Sequence, residues 1–211
     1  MGMRNFAGAL ISTLLFNYGD GYVSLNMAKN NESYRQAYLM RTYAAMADAH
    51  HQGVNVAYKP GGYLDDNELM VTFCADKNCT SFTINVGRRL FEDANKGCDV
   101  EGAFDHERRH IVQYSGGATN IPHEFRNELL TDERKLKKLE PFMRSYAELD
   151  AYYHEIDSRY SHCVSPEFMK NDIMASVSKH EAALMKEPEA VPEFVEYMRK
   201  DVSSRRPKQL K

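Results

Sequence analysis

Five consecutive residues, His106-Glu107-Arg108-Arg109-His110, form an HExxH pattern. On a helix, positions i and i+4 lie one turn apart on the same face, so the two imidazoles point the same way. Two imidazoles at that spacing can bind one Zn²⁺ together, and Glu107, about 100° round the helix, is left free of ligation. Zn²⁺ lowers the pKa of a bound water towards about 7, and a carboxylate in the position of Glu107 can take its proton as general base. A catalytic zinc with one open position needs a third protein ligand. The downstream candidates are His123, Glu148, Asp150, His154, Glu155 and His162. His50 and His51 are adjacent and diverge on a helix, so they are not expected to chelate.

The elements that must position these groups follow from periodicity. Val100, Ala103, Phe104, Ile111 and Tyr114 recur at helical spacing, which predicts a helix over 100–114 carrying the HExxH residues. Before it, 69–73 and 82–86 are β-branched and aromatic runs separated by Asp76-Lys77-Asn78, the composition of a β-hairpin. A short strand pattern at 54–58 and a helix over 33–51 precede the hairpin. After the HExxH helix, a charged helix is expected over 124–139. A second, about 18 residues long, should follow Pro141 with the stripe Phe142, Tyr146, Leu149, Tyr153, Ile156 and Tyr160. Glu148 and Asp150 flank that stripe on opposite sides, so helix phase alone leaves both open as the third ligand. Ala151 is small enough for two helices to approach closely there. Gln113, three residues after His110, is a candidate to line the cleft, while Arg108 and Arg109 are expected to face outward or pair with Glu101 and Asp105. Further helices are expected near 166–185 and 192–198, with a frayed basic tail from Arg199.

The order of helix, sheet, HExxH helix and a later helix with Glu148-Leu149-Asp150-Ala151 resembles that of gluzincin-type metallopeptidases. The run His106-Glu107-Arg108-Arg109-His110-Ile111-Val112-Gln113, followed by that Glu-x-x-Ala segment, is similar to small bacterial and phage-borne metallopeptidase domains of unknown substrate. The resemblance covers about 33–160, and its specific content is the two short motifs. It implies an α+β, zincin-like fold: a small sheet packed on helices that include the HExxH helix, with extra helices at the C-terminal end. It also implies Zn²⁺ held by His106, His110 and Glu148, Glu107 as base, and a peptide or protein substrate. Many members have Asp four residues after the ligand Glu, where this chain has Tyr152. That leaves Asp150 or Glu155 to orient the ligands. For the oxyanion, Tyr152, His154, Tyr160 and His162 are within reach along the chain, and none is singled out.

The 211 residues suit a single domain over 1–198, with a core at about 33–160, helical elaboration at 161–198 and a flexible tail at 199–211. A net charge of −3 removes the electrostatic footprint of a nucleic-acid binder. No run is long and apolar enough to span a bilayer. A cytoplasmic location is expected, with secretion as the alternative if the apolar run 6–16 is a signal. Cys74 and Cys79 could face each other across the hairpin turn, and Cys98 and Cys163 are remote in sequence; no paired-cysteine zinc spacing occurs. Cys98 is expected as a buried free thiol, with a latency-conferring zinc thiolate as the weaker option. Two rivals to an active peptidase remain: a zincin-like module that binds metal without cutting, and a helical protein with an accidental HExxH.

Overall fold

The structure, a computed structural model, describes residues 23–46, 53–59, 64, 68–115, 125, 129 and 131–210. It is α+β, mostly helical, with a small mixed sheet. Short α1 (Leu25–Asn30) and a 3₁₀ turn (Glu32–Tyr34) lead into α2 (Arg35–Met46). The strands are β1 (Asn55–Lys59), β2 (Met70–Cys74) and β3 (Phe82–Gly87), in spatial order β1-β3-β2. β1 runs parallel to β3, and β2 pairs antiparallel with it in the register Met70↔Val86 to Cys74↔Phe82. The hairpin is as the sequence predicts, and a Cys74–Cys79 disulfide closes its turn. Alternation sends Phe82, Ile84 and Val86 of β3, with Met70 and Thr72 of β2, into the interior.

The sheet's two edges differ. Along β1, the Gln36 side chain of α2 imitates a strand: its Nε2 donates to the Val56 carbonyl and its Oε1 accepts from the Tyr58 N–H, both at 2.7 Å. β2, among the described residues, pairs with β3 alone, and its outer edge borders a cleft.

After α3 (Arg89–Asp93) come the two helices that build the site, α4 (Gly97–Ser115) and α5 (Glu133–Asp157). α4 is anchored at its start by the fully buried Asp99, whose carboxylate accepts from the Asn95 and Lys96 N–H groups and from the Ser165 N–H and hydroxyl. Beside it, a Cys98–Cys163 disulfide ties α4 to the segment after α5. Cys98 is therefore not a free thiol, and thiolate latency drops out.

α5 corrects the expectation of two helices parted by Pro141. It is one 25-residue helix with Pro141 inside it. Proline removes a ladder hydrogen bond and crowds the preceding turn, at a cost of about 3 kcal/mol. Burial of Leu139, Phe142, Leu149, Tyr153 and Ile156 along one stripe on both sides of the proline offsets that cost. Asp132 caps the start by accepting from the Arg134 and Lys135 N–H groups. The predicted 166–185 helix is a turn (Pro166–Phe168), a π-helical segment (Met169–Met174) and α6 (Ala175–Leu184). α7 (Pro192–Ser204) runs past Arg199, where a frayed tail was expected, with Val202 buried. No helix among the described residues is long and apolar enough to cross a membrane. The apolar run 6–16 lies outside those residues.

Candidate metal centre

His106 and His110 project from the buried face of α4, and Glu148 reaches them from α5. The three side chains form a group that could hold a metal ion. His106 Nε2 and His110 Nε2 are 3.1 Å apart, and Glu148 Oε2 lies 3.4 Å from the first and 3.6 Å from the second. Three donors bound tetrahedrally to one zinc at its usual bond lengths are about 3.3 Å from each other. The observed spacings fall around that value. Two imidazole nitrogens and a carboxylate oxygen also repel one another unless a positive charge sits among them, either a proton or a metal ion.

His110 is braced from behind. His110 Nδ1 is 2.8 Å from Gln113 Oε1, and Gln113 Nε2 donates to the Ala147 carbonyl and to Asp150 Oδ2. Those two acceptors dictate which end of the amide carries the NH₂, so Oε1 must face His110. His110 Nδ1–H then donates to it, and the Nε2 lone pair points at the cluster. His106 Nδ1 makes no hydrogen bond, and the Glu155 carboxylate stands behind it with Oε2 at 3.5 Å. This carboxylate behind an imidazole is the usual outer partner of a metal-bound histidine. Glu155 can come this close because α4 has glycine opposite it: a Cβ on Gly102 would stand 3.0 Å from Glu155 Oε1.

The electrostatics are those of a site short of positive charge. Burial alone would depress His106, but its contacts with Glu148 and Glu155 prevail and hold the imidazole well above its ordinary value. Burial works against ionising Glu148, yet the contacts from His106 and His110 keep its carboxyl far below the usual range. Burial raises Glu155, and it also raises the Tyr152 phenol, whose ring centroid lies 4.2 Å from that of His106. Among the described residues, the carboxylates of Glu148 and Glu155 pair with imidazoles and not with lysine or arginine.

The cluster opens into a cleft of about 480 Å³ between β2, α4, α5 and α6. Glu107 lines it, 5% exposed, and Thr72 of β2 donates its hydroxyl to Glu107 Oε2 at 2.7 Å. Tyr152 and His180 line it as well, their rings stacked with centroids 6.2 Å apart, and His180 Nδ1 is 3.4 Å from Ser145 Oγ.

The other candidates lie elsewhere. Asp150, two residues from Glu148, faces away: Arg109 grips it through two contacts of 2.8 and 3.1 Å, and Arg205 pairs with it too. Burial opposes ionisation of Asp150, but Arg109 holds its carboxyl below the usual range. Arg108 pairs with Asp105 as expected, whereas Arg109 does not. His154 is exposed on α5, 3.4 Å from Asp105. Tyr160 packs with Arg159, and neither Tyr160 nor His162 lines the cleft. His123, His50 and His51 lie outside the described residues. Gln113 does not line the cleft and instead braces His110 from behind. Sequence reasoning passed over Thr72, Gly102 and His180. Only Thr72 carried a signal, a polar residue on the apolar-alternating face of a strand just before the HExxH helix. Comparison with protein-family models, with curated proteins and with solved structures finds no match to this chain.

Proposed function

We propose that the protein is a zinc-dependent metallopeptidase of zincin-like architecture, with His106, His110 and Glu148 as ligands and Glu107 as general base. The observation that carries this is the convergence of His106 Nε2, His110 Nε2 and Glu148 Oε2 at 3.1–3.6 Å in a cleft that also holds the buried Glu107 carboxylate. Bound Zn²⁺ would polarise a scissile carbonyl and acidify water. Glu107 takes the water's proton and hands it to the leaving amine. Thr72 occupies Glu107 Oε2, which directs the other oxygen to that task. The edge of β2 that pairs with no strand among the described residues offers backbone N–H and C=O groups to an extended peptide, which main-chain pairing would hold along the cleft. Tyr152 and His180 supply donors on the cleft wall for the developing oxyanion. Glu155 and Gln113 do the orienting that an Asp at position 152 would otherwise do.

Two disulfides among the described residues support an oxidising compartment over the cytoplasm, since such bonds persist mainly in secreted and extracytoplasmic proteins. The decisive experiment compares wild type with Glu107→Gln on a broad peptide library, measuring zinc content alongside turnover. Cleavage by wild type and its loss in a variant that keeps zinc is the expected outcome. Full activity in the variant would refute the mechanism, and zinc without turnover in wild type would favour a binding module instead.

A further inference from the structure

We propose that Arg205, at the C-terminal end of α7, is a positioning residue for His110, acting through Asp150 and Gln113. This rests on the reading of His110 as a metal ligand. The connection is a continuous line of charged and polar contacts. Arg205 pairs through Nη1 with Asp150 Oδ1, its other arm contacts Asp201 and the Tyr146 hydroxyl, and its guanidinium lies over the Tyr146 ring at 5.4 Å. Asp150 Oδ2 accepts from Arg109 at 2.8 Å and from Gln113 Nε2 at 2.8 Å. Gln113 Oε1 then meets His110 Nδ1 at 2.8 Å.

Each link depends on the one before it. Asp150 is 5% exposed, and its Oδ1 is shared by Arg109, at 3.1 Å, and Arg205, so two guanidiniums together fix where the carboxylate stands. Asp150 held in that place accepts from Gln113 Nε2 and so fixes the amide with its NH₂ away from His110. That amide fixes the proton on His110 Nδ1, and hence the lone pair on Nε2 that faces His106 and Glu148. A weakened Asp150 lets the amide turn over, and the turned amide presents its NH₂ to His110 Nδ1, which favours the tautomer with its proton on Nε2, where a metal must bind. The basic C-terminal segment is thus part of the outer support of the cluster, although it lines none of the cleft.

The test uses the full chain with Arg205→Ala, Arg205→Lys and Met198→Ala. Met198 is a buried α7 residue outside the network, so its truncation loosens the docking of α7 by packing alone. Zinc affinity is read by competition with a chromogenic chelator, and the His110 tautomer by long-range ¹H–¹⁵N correlation on metal-free protein. Arg205→Ala is expected to bind zinc roughly 10-fold more weakly, within the range for loss of an outer partner, and to show mixed His110 tautomers where wild type shows Nδ1–H alone. Arg205→Lys should recover part of the affinity, and Met198→Ala should keep both readouts while melting lower. Arg205→Ala with wild-type affinity and a single Nδ1–H tautomer would overturn the inference, as would Met198→Ala losing as much affinity. If wild type takes up no zinc while Arg205→Ala alone mixes the tautomers, the metal reading falls and the positioning role stands.

Discussion

Glu148 and Asp150 sit two residues apart on one helix, and their surroundings are opposites. Asp150 lies among Arg109, Arg205 and the Gln113 amide, a carboxylate whose compensating charge is built into the chain. Glu148 lies among two imidazoles, with the Glu155 carboxylate behind one of them. Its compensating charge must come from a proton or a cation held between the side chains. One carboxylate is compensated by guanidiniums of the chain itself, and the other, on the proposed reading, by a bound cation. Glu148 is the more exposed of the two, its side chain 23% accessible against 6% for Asp150, yet it is the one that lacks a guanidinium, so the facing groups separate them.

Substitutions at the carboxylate without a guanidinium should therefore have the larger effect. Glu148→Gln removes a proposed ligand and is expected to leave less than roughly a tenth of an equivalent of zinc after dialysis, with loss of all hydrolysis. Glu107→Gln should keep zinc and cost about 10²–10⁴-fold in kcat, the range for a lost general base. Asp150→Asn should keep zinc at saturation but weaken it by roughly 10-fold and destabilise the fold by about 1–3 kcal/mol, since two guanidiniums lose their anion. If Asp150→Asn abolishes zinc uptake and Glu148→Gln does not, the assignment of the two carboxylates is reversed.

Protonation sharpens the contrast further. Burial lowers His106, but Glu148 and Glu155 outweigh it, so in the metal-free protein the folded imidazole holds its proton more tightly than the unfolded one. That stabilisation is complete below about pH 6.5, the unfolded value, and is lost as pH rises through the folded one. Metal-free protein should melt lower as pH rises above 6.5, while the increment in Tm from added zinc grows, because the metal then displaces fewer protons. A zinc increment independent of pH would contradict protonation of the cluster. The smallest effect is expected at Gly102→Ala: the new Cβ, 3.0 Å from Glu155 Oε1, pushes the carboxylate off His106. Zinc should weaken a few-fold, while stability changes within about 1 kcal/mol because alanine's helix propensity offsets the crowding. Chelator competition and a melting curve read both.

Much of the site was legible because HExxH is a statement about helix geometry, and apolar periodicity placed those residues on a helix after a hairpin. Pro141 was misleading in sequence, since local propensity says break and only the buried stripe on both sides says continue. The choice between Glu148 and Asp150 was not in the helix phase. It turns on Arg109 and on Arg205, 55 residues beyond Asp150, and no local pattern predicts a guanidinium arriving from that distance. Thr72 was half-legible from strand alternation. His180 was not, because a histidine on a later helix carries no sign of which cleft it faces. Cys98 and Cys163, 65 residues apart, gave no pairing signal either.

Zinc stoichiometry of the purified full-length protein, set against Glu148→Gln and Asp150→Asn, tests the central claim most directly. One equivalent in wild type and in Asp150→Asn at saturating zinc, with almost none in Glu148→Gln, is the predicted result. Wild type that stays below about a tenth of an equivalent after reconstitution would contradict it, and the converging imidazoles and carboxylate would then hold a proton and nothing more.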